Sequence, residues 1–169
     1  MVKVNLVGFN QLQRSVQKLP RIVQKEVGAE IQLAAEDFRN KAIGFAPVDR
    51  RFLANQITVK PISEMRAEVV SGSKYSAPME FGTKSKFRPI PGIDASEFKG
   101  LPSGGTWQQF INNLKGWAKR KGIDQSLVYV IARNIYLKGV EPHPYFFRNI
   151  STVRRELIKK IRNILKQEL

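Results

Sequence analysis

From Val23 to Ala42, apolar side chains recur at intervals of three and four: Val23, Val27, Ile31, Ala34, Phe38 and Ala42. At 3.6 residues per turn this spacing puts all of them on one stripe of an α-helix, and such a stripe must be buried against something. Glu26, Glu30, Arg39 and Lys41 fall off the stripe and are expected in solvent. Pro20 stands where the start of a helix tolerates a missing N–H. A short turn before it carries Leu12, Val16 and Leu19, and Gly44 with Pro47 stops the helix. A helical region over 1–45 is the expectation.

Period two then takes over. Leu53, Ile57 and Val59 lie on one parity and Pro61 closes the run; Ala67, Val69 and Ser71 follow, ending at Gly72. Tyr75, Ala77, Met79 and Phe81 alternate with Ser76, Pro78 and Glu80. Over 46–83 the pattern predicts three antiparallel strands, each with one buried face. Pro78 cannot donate to a ladder, which predicts an edge position or a bulge for the third strand.

Residues 84–105, KSKFRPIPGIDASEFKGLPSGG, hold three prolines and four glycines and read as a long flexible loop. Loops of this length in compact domains are functional or disordered. A helical hairpin follows over 106–139. Thr106 caps its first helix, with Phe110, Leu114 and Trp117 on one face, and Gly122 stops it. Asp124 caps the second, with Leu127, Ile131 and Ile135 on one face, and Gly139 ends it. Over 140–169 a last helix follows the Glu141–Pro144 turn and buries Val153, Leu157, Ile161, Ile164 and Leu165.

The fold class expected is α+β: a small antiparallel sheet of three to four strands packed against long N- and C-terminal helices, with the helical hairpin as an insertion. At 169 residues, 42% hydrophobic and 25% charged, the chain suits one globular domain. Folding would bury about two-thirds of its unfolded surface. It has no cysteine, so disulfides and thiolate chemistry are excluded, which fits a reducing compartment. The N-terminus lacks a signal-like apolar run, and no stretch approaches the roughly 20 apolar residues that span a bilayer. A soluble chain without a membrane partner is expected.

Charge is the strongest compositional fact: 29 Lys and Arg against 14 Asp and Glu, a net +15. It concentrates in residues 84–122, with eight basic and two acidic side chains, and in 148–169, with seven and two. Such a field attracts polyanions. The functional meaning is a nucleic acid or an acidic protein surface; the alternative is solvated helix faces and a solvated loop. In the last helix Arg154, Arg155, Lys159, Lys160, Arg162 and Lys166 form the outer face, a candidate surface for a partner or for DNA.

Little in the chain suggests catalysis. The one histidine, His143, lies between Pro142 and Pro144. P-loop, dinucleotide-glycine and GxSxG patterns are absent. Glu36 and Asp37 are adjacent on a helix and diverge, leaving Asp49 and Glu80 as isolated carboxylates without a metal-binding spacing. No catalytic, cofactor or metal residue is expected. The helical hairpin is a poor helix-turn-helix candidate, because its second helix opens Asp124-Gln125-Ser126 and carries only Arg133 and Lys138 as cations.

The most distinctive run is Tyr75-Ser76-Ala77-Pro78-Met79-Glu80-Phe81-Gly82-Thr83. It follows Ala46-Pro47-Val48-Asp49 and Leu53. It precedes Trp117-Ala118-Lys119-Arg120-Lys121-Gly122-Ile123, an Ala-Ile helix (Ile131, Ala132, Ile135) closing at Gly139, and Pro144-Tyr145-Phe146-Phe147 before a terminal amphipathic helix. In this order the elements resemble the phage head–tail joining family, also called minor tail or tail-completion proteins, over nearly the whole chain. Arg50-Arg51 departs from the family's small residue and glycine, Pro78 falls inside its strand, and Tyr145 stands where phenylalanine is usual.

The resemblance implies a non-enzymatic virion protein without a cofactor. It would be a ring of copies of itself, six in number, at the neck or upper tail end, assembled in the host cytoplasm. Partners would be head-completion or connector proteins and the tail terminator or tail tube, with transient contact to passing DNA. A ring needs an edge or loop for its neighbour to cover. The candidates are Tyr75, Pro78, Glu80, Phe81, Gly82, Thr83, Lys84, Lys86, Phe87 and Arg88, with Tyr145 and Phe146. The rival reading is a basic nucleic-acid-binding protein, either regulatory or a toxin-type ribonuclease depending on Glu80 or His143.

Overall fold

A computed structural model describes residues 20–48, 51–93 and 106–167, with the backbone of 2–3. The expected turn at Leu12, Val16 and Leu19, the residues Asp49 and Arg50, and positions 94–105 of the long loop lie outside the described residues. The chain's contacts gather into two compact units: 1–76 with 145–169, and 77–144.

The first unit is built on a long helix, α1 (Arg21–Phe45). Pro20 takes the N-cap position, and Ala46 turns extended (ψ 134°), as the residue before a proline must. Val23, Val27, Ile31, Phe38 and Ala42 are buried as the periodicity predicts, but Ala35 is buried in place of Ala34. On an ideal helix position 34 lies nearer the stripe's centre than position 35, so the exchange reflects what packs around α1 rather than helical spacing, and Ala34 stays half-buried at the core's margin.

The expected strand from Leu53 is instead two elements. Phe52–Asn55 forms a single helical turn, α2, and the strand β2 runs Ile57–Ser63, passing through Pro61 rather than ending there. It pairs antiparallel with β3 (Arg66–Ser71), with Val59 opposite Val69 and Ile57 opposite Ser71. The register shifts between Pro61 and Ser63. β2 is an edge strand, which is where a sheet tolerates a residue that cannot donate. The two-residue segment β1 (Val2–Lys3) pairs with the other side of β3. The sheet is therefore essentially one hairpin.

The hairpin turn lies against α1. A Cβ on Gly28 would come within 2.6 Å of the Glu64 carbonyl oxygen, so only glycine permits that approach. Arg39 Nε donates to the Ile57 carbonyl (3.0 Å), fixing β2 to the same helix. The last helix, α6 (Ile150–Gln167), buries Val153, Leu157 and Ile161. Val23, Val27, Ile31, Met65, Leu157 and Ile161 form the core, with Ile164 and Leu165 packed at its margin. Each such side chain contributes about 1.5–3 kcal/mol over exposure. Before α6, Phe146 packs edge-on to Phe38 at 5.2 Å.

In the second unit, the run expected as a third strand is a short helix, α3 (Ser76–Phe81). Alternation and helical spacing agree on Ala77 and Phe81, both buried, so the two periods cannot be told apart over so few residues. Pro78, read as the mark of a strand edge, occupies the first helical turn, where no intrahelical acceptor needs its N–H.

The helical hairpin forms as predicted, from α4 (Trp107–Arg120) and α5 (Val128–Lys138). Thr106 and Gln109 make a reciprocal capping box. Asp124 caps a 3₁₀ turn at Gln125–Leu127 that precedes α5. Its Oδ1 accepts from the Ser126 N–H at 2.9 Å. The most buried residues are Ile111, Ala118, Val128 and Ala132; the expected Phe110, Leu114, Trp117, Ile131 and Ile135 are half-buried and Leu127 is exposed. Small alanines at the seam let the two backbones approach, and the larger side chains spread to its flanks.

Candidate assembly surfaces

The segment expected to meet a neighbour divides by burial. Tyr75 is exposed and lies edge-on to Phe52, centroids 6.5 Å apart. Pro78, Thr83, Lys86 and Phe87 are half-buried, and Lys84 and Arg88 are exposed. Glu80, Phe81, Gly82, Tyr145 and Phe146 are buried within the chain, which corrects their assignment to a subunit surface. Their role is internal. The Tyr145 hydroxyl, for example, is 3.0 Å from that of Ser71.

Thr83 pairs with Val140 in both directions: its N–H donates to the Val140 carbonyl (3.0 Å), and its Oγ1 accepts from the Val140 N–H (2.8 Å). Gly139 has φ +88°, and a Cβ there would collide with the Thr83 carbonyl oxygen. The Glu80–Thr83 run is thus a clamp that holds the chain just after α5.

The cationic arm is similarly committed over its described part. Lys84–Lys86 forms a 3₁₀ turn beside the C-terminal end of α5. The Lys84 ammonium donates to the Tyr136 carbonyl and stands 4.3 Å over the Tyr136 ring. Ser85 Oγ donates to the Lys138 carbonyl at 2.9 Å, and Lys86 pairs with Glu141 at 2.7 Å. A helix C-terminus leaves carbonyls without intrahelical donors, and cations are favoured there. Lys84 and Ser85 therefore serve the end of α5, and Lys86 holds Glu141 just beyond it.

Sequence reasoning missed an exposed aromatic face on the hairpin. Trp107 meets Tyr136 edge-on at 5.5 Å and Tyr129 at 6.1 Å. Tyr129, Val130, Tyr136 and Leu137 are each more than half exposed. The signal lay in composition: α5 carries Tyr129, Val130, Tyr136 and Leu137 off the stripe Leu127–Ile131–Ile135, which accounts for only one side.

α6 carries the other candidate surface. Arg154, Arg155, Lys159, Arg162 and Lys166 are exposed as predicted and line one open face with Ile158. Among the described residues none of these cations has a carboxylate partner. Lys160 is exposed as well, but its ammonium is 2.8 Å from Glu30 on α1, and that hydrogen bond raises its pKa above the ordinary lysine value. Lys41 on α1 bonds Asp37 at 2.7 Å and Glu156, the helix's one described carboxylate, at 3.4 Å. The acidic groups near α6 are thus spent on its α1-facing side.

Among the described residues no cluster of three or more His, Asp or Glu side chains could hold a metal ion. No described helix is long and apolar enough to cross a membrane. His143 is exposed, and its backbone N–H donates to the Met79 carbonyl at 2.6 Å.

The fold and its surfaces describe a helix-rich α+β protein whose prominent features are contact faces. Residues 10–82 match the family model described as "Bacteriophage HK97-gp10, putative tail-component". That segment includes α1, the β-hairpin and α3, and the match supports a phage structural tail protein. No curated protein and no solved structure matches the chain.

Proposed function

We propose that the chain is a structural virion-assembly protein of a tailed phage or phage-derived particle, joining head and tail or completing the tail at the neck as a ring. The observation that carries this reading is the tail-component match over α1, the hairpin and α3. The aromatic face of the second unit supports it. Contiguous exposed apolar surface on a single chain marks an interface, and tyrosine and tryptophan are enriched there. In a ring each copy presents one face to the next, and Trp107, Tyr129 and Tyr136 form the face that a neighbouring copy would cover. Head-completion, connector and tail-terminator or tube proteins are the further partners, and the role is mechanical, without turnover.

Immunogold labelling of purified particles tests the location: label at the neck or upper tail end is expected, and unlabelled mature particles overturn the reading. Tyr129→Glu with Tyr136→Glu tests the ring. The variant should stay folded by circular dichroism but lose the oligomeric mass seen for the wild type under assembly conditions. An unchanged mass removes the aromatic face from the interface.

A further inference from the structure

We infer that the outer face of α6 is a sequence-independent contact for the phosphate backbone of duplex DNA. Arg155, Lys159, Arg162 and Lys166 follow one another at four, three and four residues, a single row on an α-helix, with Arg154 beside it. From Arg154 to Lys166 the face is about 18 Å long at 1.5 Å per residue. Duplex DNA carries one charge per roughly 1.7 Å of axis, the density that releases most counterions to a short cationic row.

Three observations favour this occupant. Among the described residues no carboxylate pairs with the row, whereas Lys160 and Lys41, on the side facing α1, are both paired. The face also lacks what protein interfaces use: its only large apolar side chain is Ile158, half-buried, and it has no aromatic residue. The cores of protein interfaces are depleted in charge and enriched in aromatics, and in this chain those groups sit on the hairpin instead. The missing aromatics also argue against single strands, whose binders stack bases on aromatic rings. Arg and Lys reaching phosphate oxygens carry no base information, so the contact positions DNA without reading it.

The test is binding of a fluorescent 30-base-pair duplex of arbitrary sequence by the full chain, across a series of KCl concentrations. Five phosphate contacts predict a slope of log affinity against log salt of about −4.5. Arg155→Gln with Lys159→Gln and Arg162→Gln should reduce it to about −1.8, the value for two remaining contacts. A charge-matched control, Lys25→Gln with Lys60→Gln and Lys74→Gln, should keep the wild-type slope. Should the triple variant unfold, Lys159→Gln alone should reduce the slope by about 0.9. Equal loss in the control reduces the effect to net charge and overturns the inference, as does an unchanged slope in the triple or single variant. Poly-glutamate binding through these residues without duplex binding assigns the face to an acidic protein and also overturns it.

Discussion

The Tyr145 hydroxyl lies 3.0 Å from the Ser71 hydroxyl, and Ser71 in turn lies 2.5 Å from the Ser76 hydroxyl. All three residues are buried. This chain ties the end of β3 to the segment that leads into α6. Tyr145→Phe keeps the ring but removes one partner of a buried hydroxyl, and the expected cost is about 1–2 kcal/mol in urea unfolding. Ser71→Ala combined with Tyr145→Phe should cost less than the sum of the two singles, because each single already loses the same Ser71–Tyr145 hydrogen bond, while Ser76 loses Ser71 in both Ser71 variants.

Arg51 adopts φ +52°, ψ 21°, a left-handed conformation that glycine takes freely. Arg51→Gly relieves about 1–2 kcal/mol of left-handed strain and gives up about 0.5–1 kcal/mol in unfolded-chain entropy. A net stabilisation of no more than about 1.5 kcal/mol should appear as a small rise in Tm.

Gly139 ends α5 at φ +88° in contact with Thr83. Gly139→Ala meets both the left-handed penalty and the Thr83 backbone, so a loss of at least about 1 kcal/mol is expected. Hydrogen exchange should show it first at the amides of Thr83 and Val140, which bond each other's carbonyl or hydroxyl oxygens. Unchanged protection at both amides would contradict the clamp.

Lys160 has its pKa raised, chiefly by its hydrogen bond to Glu30. A cation with a higher folded than unfolded pKa contributes stability that is fully present below the unfolded value and is lost as pH rises through the folded one. The pair is exposed and solvent-screened, so the effect on unfolding should be small and confined to strongly alkaline pH. An NMR titration of the Lys160 side chain should place its midpoint above the ordinary lysine value, and Glu30→Gln should lower it.

Local chemistry by itself specified the helices. The stripe from Val23 to Ala42 defined α1 to within a residue at its centre, Thr106 capped α4 as read, Gly139 closed α5, and the exposed cations of α6 were visible. These features depend on side chains three or four positions apart, so near neighbours in the chain encode them. Long-range contact decided the rest. Alternation at Tyr75–Phe81 fits a strand or a helical turn equally, and only the surroundings of Ala77 and Phe81 selected the turn. Lys160 became a partner of Glu30 because α6 packs on α1, a pairing across 130 positions that no local pattern announces. The Glu80–Thr83 and Tyr145–Phe147 runs looked like contact motifs because they are distinctive; folding buried their bulk, because aromatic side chains beside small residues make better core than rim.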